Sequence, residues 1–504
     1  MANPDDAVEL TQPEPVIADE IRLHRALGPF SLIMIGIGSI IGAGIFVYAG
    51  TAAAAHAGPA VLISFAIAGV GCLFSGLCYA EFASMIPESG SSYTYAYATM
   101  GRFMAWFIGW NMVLEYGVSA SGVAAGWSAY FLDFLHNFGL SFPAELASAP
   151  LCQAGSPPPC PQFTAAALAK LHGIHSLVPT GAILNLPAVV LIAGLTTLLV
   201  FGVKESARFN NAMVLVKVGI VLLVILFGLP FVTAHHFTPF VPPNTGQYGH
   251  FGFTGILAGA GIVFFAFIGF EAVSVAAQEC RDPRRDLPIG ILGSLFICSA
   301  LYVLIAVVLI GIADWHTLDV PDPVSFAVAK VPALGWLVQW VNVAAMAGLG
   351  TVVFTSLYAQ TRVFYCMARD RFLPPAFSAV HARFHTPHRG TVIIGVVAAL
   401  LAAVFPFDVL ADLVSIGTLL AFVAVCAGIM ILRISAPKAR RKFKTPWVWF
   451  TAPAGIFVCG VMMYSLSNDT WVRLGVWTVL GVIIYLAYGR KHAAPSKWKV
   501  TNES

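Results

Sequence analysis

The sequence predicts an all-α polytopic membrane protein with about twelve transmembrane helices, and three observations predict it. Of 504 residues, 58% are hydrophobic and only 10% charged, whereas a soluble domain carries about a quarter charged residues. The apolar residues fall in runs of about 20, the length that crosses a bilayer as a helix. The lysines and arginines gather in alternate loops, the bias that orients spans in a membrane. A net charge of +3, scattered in this way, gives no surface for nucleic acid.

Apolar runs bounded by charge, Gly and Pro place helices α1 to α12 near residues 30–51, 59–82, 103–135, 182–203, 211–232, 252–277, 288–312, 332–361, 391–407, 409–432, 447–467 and 471–489. With the N-terminus in the cytoplasm, 23 of the 27 Lys and Arg lie inside, three outside (Lys170, Lys330, Arg473) and one, Lys217, within a helix. Both termini are therefore expected in the cytoplasm, with tails over 1–29 and 490–504 and multi-pass insertion in the plasma (inner) membrane. The first tail is acidic (Asp5, Asp6, Glu9, Glu14, Asp19, Glu20), unlike a cleavable signal peptide, so α1 serves as its own insertion signal. The long external loop, 136–181, holds Cys152 and Cys160, whose spacing permits a disulfide without requiring one. The other seven cysteines read as small apolar fillers.

Two helices carry signs of a broken backbone. α1 places Gly36, Gly38, Gly42 and Gly44 within nine residues, and glycine weakens a helix by about 1 kcal/mol per residue relative to Ala. Close packing through small residues is one reading. α6 is interrupted too, at Gly255, Gly259, Gly261 and Gly269, and carries Glu271 deep in its apolar run. If 30–232 and 252–432 are inverted repeats, with 447–489 added as α11 and α12, the interrupted helices are the first of each half, which points to a midplane binding site. An unwound Ile41, Gly42, Ala43 and Gly44 would offer N–H groups to a carboxylate. Carbonyls of Ile40, Phe265, Ala266 and Ile268 would accept from an ammonium group. Together they describe the main-chain end of an α-amino acid.

At these residues the chain resembles the amino acid-polyamine-organocation (APC) superfamily, and within it the cationic amino acid transporter family and its bacterial members. The matching strings are Ile37-Gly38-Ser39-Ile40-Ile41-Gly42-Ala43-Gly44-Ile45-Phe46-Val47, Cys78-Tyr79-Ala80-Glu81-Phe82-Ala83-Ser84-Met85-Ile86-Pro87, Leu114-Glu115-Tyr116, Phe264-Phe265-Ala266-Phe267-Ile268-Gly269-Phe270-Glu271 and Gln360-Thr361-Arg362-Val363-Phe364-Tyr365. The resemblance covers about residues 25–435 and implies a five-plus-five inverted repeat with two added helices, working by alternating access. It also implies that Lys217, at the end of Asn210-Asn211-Ala212-Met213-Val214-Leu215-Val216-Lys217, occupies the place a sodium ion takes in other members of the superfamily. Two departures stand out: Glu271 where relatives often have Asp, and twelve spans where animal members have fourteen.

The implied function is secondary active transport of amino acids, with protons as the coupling ion and no cofactor. Lys217 would brace α1 carbonyls near Gly38 to Ile41 and α8 hydroxyls such as Thr355 or Ser356; snorkelling to the cytoplasm is the alternative. Glu115, Phe265, Glu271 and Leu349 are the candidate side-chain pocket, and bulky Leu349 favours small neutral substrates over cationic ones. Glu81, near the cytoplasmic end of α2, reads as a structural carboxylate paired to a cation. Arg281, Asp282, Arg284, Arg285 and Asp286 read as an ion-pair cluster. His235 and His236 lack a third ligand and read as surface rather than metal site. A channel would need a continuous polar lining, and an enzyme a catalytic constellation at membrane depth; the helices offer neither. An accessory membrane subunit is left open.

Overall fold

The computed structural model describes residues 25–42, 44–153, 177–246, 249–320, 322–464, 466 and 468–493. A helix stands at each of the twelve predicted positions. α1 is Pro29–Ile40 and resumes after a break over Gly44–Tyr48 to Ala52–Ala57. α2 is Val61–Met85, and α3 runs Arg102–Met112, Val113–Val118 and Ser119–Asn137, its middle turn π-helical. α4 is Leu186–Phe201, α5 Val203–Gly228, α7 Pro283–Ile312 and α8 Val338–Arg369. α6 is Gly252–Phe264, continued beyond a break by the 3-10 helix Phe270–Glu279. α9 is His388–Val404, α10 Phe407–Ser435, α11 Val448–Tyr464 and α12 Asn468–Ile484.

Seven stretches among the described residues are long and apolar enough to cross a membrane, the first of them, Pro29–Met85, taking α1 and α2 together. α4, α9 and α11 are shorter apolar helices. Phe457, Tyr464 and Val472 on α11 and α12 are largely exposed, as lipid-facing side chains are when no aqueous surface has to be built. The interior is made where α7 packs on α1 and α2, α8 on α3 and α5, and α10 on α3 and α11. The broken helices α1 and α6 lie side by side within it.

Some ends differ from expectation for identifiable reasons. α7 starts at Pro283, with Pro288 one turn in, because a proline in the first turn sacrifices N–H groups that have no intrahelical partner anyway. α8 runs past Gln360-Thr361-Arg362 to Arg369, since Arg362 is buried against α6 rather than marking the membrane surface. In the external loop, Leu151–Gln153 pairs antiparallel with Leu177–Pro179, and Cys152 is held in a disulfide. Its expected partner, Cys160, lies outside the described residues.

Candidate functional site

α1 stays helical to Ile40. Ile41 then turns to an extended conformation (φ −76°, ψ 103°), its N–H still reaching the Ile37 carbonyl. Beyond Gly42 the chain restarts as a π-turn, with the Ile45 and Phe46 N–H groups both 3.3 Å from the Gly42 carbonyl. Ala43 lies outside the described residues. The glycines here are demanded by neighbouring helices: a Cβ on Gly44 would run into the backbone of Ala266, and one on Gly42 into Val352 of α8. At Gly44 the space that a side chain would take is filled by α6.

Lys217 is fully buried and does not snorkel. Its Nζ donates to the Gly38 carbonyl (2.9 Å), the Ile41 carbonyl (2.7 Å) and Thr351 Oγ1 (2.8 Å). Three acceptors match the three N–H bonds of an ammonium. The two carbonyls lie at the break in α1, and the ammonium helps to satisfy them in an apolar interior, sharing the Gly38 carbonyl with Thr351 Oγ1 at 2.9 Å. The α8 hydroxyl is Thr351, not Thr355 or Ser356: Thr355 Oγ1 bonds back to the Thr351 and Val352 carbonyls of its own helix.

Two tyrosines missed by sequence reasoning complete the frame. Tyr302 of α7 places its hydroxyl 2.7 Å from the Ile40 carbonyl and 2.8 Å from the Ala266 carbonyl, joining the broken helices. Two of the four carbonyls expected to face an ammonium group are thus already met by a phenol, and Phe265 O takes the Ile268 N–H at 3.4 Å. Tyr130 of α3 donates to the Phe46 carbonyl at 3.0 Å. Both residues sit in apolar helices with no local motif, and only a tyrosine in an otherwise featureless run hinted at them.

α6 breaks differently. A 3-10 turn, Phe265–Phe267, leads to extended Ile268 and left-handed Gly269 (φ 118°). The Gly269 N–H donates to Glu271 Oε2 at 3.0 Å, so this carboxylate caps its own helix. Glu115, on the π-turn of α3, is buried in the same interior as Glu271. Neither oxygen of Glu115, nor Glu271 Oε1, has a donor among the described residues. Phe265 packs edge-on against Tyr48, ring centroids 5.3 Å apart, and Leu349 is fully buried in α8.

Toward the N-terminal face, Glu279 at the end of α6 receives Arg362 Nε (3.0 Å) and Nη2 (2.7 Å), and the Tyr358 hydroxyl. Glu81 accepts from Arg433 (2.8 Å), Arg441 (2.9 Å) and the Thr445 N–H (2.7 Å), tying α2 to the end of α10. Within the expected ion-pair cluster, Asp282 instead approaches Lys442, at 3.9 Å. His236 Nδ1 lies 2.9 Å from the Gly311 carbonyl, and no group of three metal-ligating side chains occurs among the described residues.

A membrane bundle with two interrupted helices in contact, each break served by polar groups from its neighbours, is the build of a secondary transporter rather than of an enzyme. Residues 27–487 match the family model described as amino acid permease, and the chain belongs to that family, within the APC superfamily. It is similar to the methylthioribose transporter of Bacillus subtilis, 40% identical over 475 residues that make up 94% of this chain and 95% of that one. The branched-chain amino acid permease BcaP of the same organism is 41% identical over the same shares. The vacuolar cationic amino acid transporter 4 of Arabidopsis thaliana is 35% identical over 416 residues, 82% of this chain and 64% of that one. The protein is an amino acid transporter of the multi-pass membrane class.

Proposed function

We propose that the protein takes up small neutral L-amino acids by alternating access, driven by protons, across the plasma membrane with both termini in the cytoplasm. The observation that carries the reading is the Lys217 cage: one ammonium joins α5 to both carbonyls of the α1 break and to Thr351 of α8. Protonated, it braces the break as a cation would; deprotonated, it loses a donor and the brace loosens. The backbone around Ile41 to Gly44 would receive the substrate carboxylate and the Phe265 to Ile268 turn its amine. Leu349 would close the side-chain pocket. The paired breaks in α1 and α6 support two inverted repeats over 30–232 and 252–432, and the twelve helices as twelve spans.

A cationic substrate is the second reading. Glu115 and the free oxygen of Glu271 lack donors among the described residues, and a guanidinium or ammonium side chain would supply them, as would a proton held between the two carboxyls. The names of the relatives span branched-chain and cationic amino acids and methylthioribose, so substrate has to be measured. Purified protein in proteoliposomes, with an imposed inward proton gradient, is expected to accumulate alanine-sized substrates and to stop when the gradient is collapsed. Accumulation indifferent to the gradient would overturn coupling, and stronger competition by arginine than by alanine would select the cationic reading.

A further inference from the structure

The start of α1 is zipped to the end of α6 by backbone hydrogen bonds. Ala26 and Leu27 N–H donate to the Glu279 carbonyl at 2.9 and 3.0 Å, and Arg281 N–H donates to the Leu27 carbonyl at 2.9 Å, a parallel bridge pairing Leu27 with Cys280. This pairing carries Arg25 and Arg281 to one place. Arg208, from the second turn of α5, joins them. All three line a single cavity of about 430 Å³, together with Ser31 and Asn211, a volume in the range of sites that hold small ligands.

None of the three guanidiniums has a hydrogen bond or ion pair to a described residue. Among the described residues, the acids flanking Arg281 are engaged elsewhere: Glu279 with Arg362, and Asp282 with Lys442. Backbone pairing thus brings exposed guanidiniums around one open cavity whose described lining contains no acid, a concentration of positive charge that attracts an anion. Guanidinium forks match phosphate oxygens two by two. We propose that this cavity binds a phosphate group, presented by an anionic phospholipid headgroup or by free phosphate. Bound there, it would tie the start of α1, the start of α5 and the α6–α7 loop together, three segments that must part for the N-terminal half of α1 to swing.

The test is thermal unfolding of the purified full-length protein in neutral-lipid micelles, with added phosphatidylglycerol or with inorganic phosphate. Parent protein is compared with the triple variant Arg25→Gln, Arg208→Gln, Arg281→Gln, and with a charge-matched control, Lys438→Gln, Arg440→Gln, Lys444→Gln. Phosphatidylglycerol is expected to raise the melting temperature of parent and control by several degrees and to leave the triple variant unmoved. The same rise with inorganic phosphate assigns the site to free phosphate; a rise with lipid alone assigns it to the headgroup. Equal stabilisation of the triple variant, or none of the parent by either probe, overturns the proposal. The amino acid-induced shift, which reports the transport site, is expected to survive in the triple variant, so failure of this proposal and failure of the transport reading are separable.

Discussion

Among the described residues two cations are fully buried, and they are held in opposite ways. Arg362 meets a carboxylate, Glu279, through two N–H bonds, with Tyr358 beside it. Lys217 meets no carboxylate, only two carbonyls and a hydroxyl. An arginine keeps its proton under all physiological conditions, whereas a buried lysine can release one. Pairing Arg362 with a formal negative charge makes a permanent tie between α8 and α6. Surrounding Lys217 with neutral dipoles adds no opposite charge to hold its proton, which is what the proposed coupling role requires.

The comparison breaks most sharply at Lys217. Lys217→Met takes the ammonium donor away from the Gly38 and Ile41 carbonyls and removes the buried cation at the α1 break. Accumulation driven by a proton gradient in proteoliposomes is expected to fall by at least about tenfold, the loss of a charge-assisted bond in a dry site. A mutant that still accumulates substrate in response to the gradient would move coupling to Glu115 or Glu271.

Arg362→Gln should show the opposite pattern, a loss of stability more than of coupling. It strands Glu279 without its counter-charge, which costs about 3–5 kcal/mol in a buried setting. A lower melting temperature is expected, with partial recovery in the double variant Arg362→Gln, Glu279→Gln, where neither charge remains. Were the double variant no more stable than the single one, the tie would not be electrostatic. Tyr302→Phe is smaller again. It removes one hydroxyl from between the Ile40 and Ala266 carbonyls, at about 0.5–1.5 kcal/mol, so substrate affinity should change by several-fold at most while proton dependence is kept.

The sequence announced the bundle because apolar runs, loop charges and clustered glycines are local signals. It announced the α1 break and Lys217 for the same reason, since a lone lysine in a lipid-length apolar run is costly unless it snorkels or finds partners. Partners that meet only through packing stayed hidden. Nothing local distinguishes Tyr302 from any aromatic residue in a transmembrane run, and Gly44 reads alike whether it faces a ligand or, as here, the backbone of Ala266. The basic cavity was equally silent, because Arg25, Arg208 and Arg281 are far apart in sequence and only the Leu27–Cys280 bridge gathers two of them.

Thr351 and Thr355 give the finest test of whether geometry or motif reading locates the cage. They lie one turn apart on α8, both fully buried, both with hydroxyls. Thr351 Oγ1 accepts from Lys217, and its own proton is shared between the Gly38 carbonyl at 2.9 Å and the Gly348 carbonyl of its own helix at 2.8 Å. Thr355 Oγ1 is satisfied by the Thr351 and Val352 carbonyls behind it, the back-bonding usual for a threonine inside a helix. Valine keeps the shape of threonine and deletes the hydroxyl. Thr351→Val is therefore expected to weaken proton-driven uptake by about three- to tenfold, the worth of one hydrogen bond to a charged group. Thr355→Val should leave uptake within about twofold, since its hydroxyl serves only its own helix. Measured side by side in proteoliposomes, equal effects would remove Thr351 from the cage and return the assignment of the α8 hydroxyl to open competition.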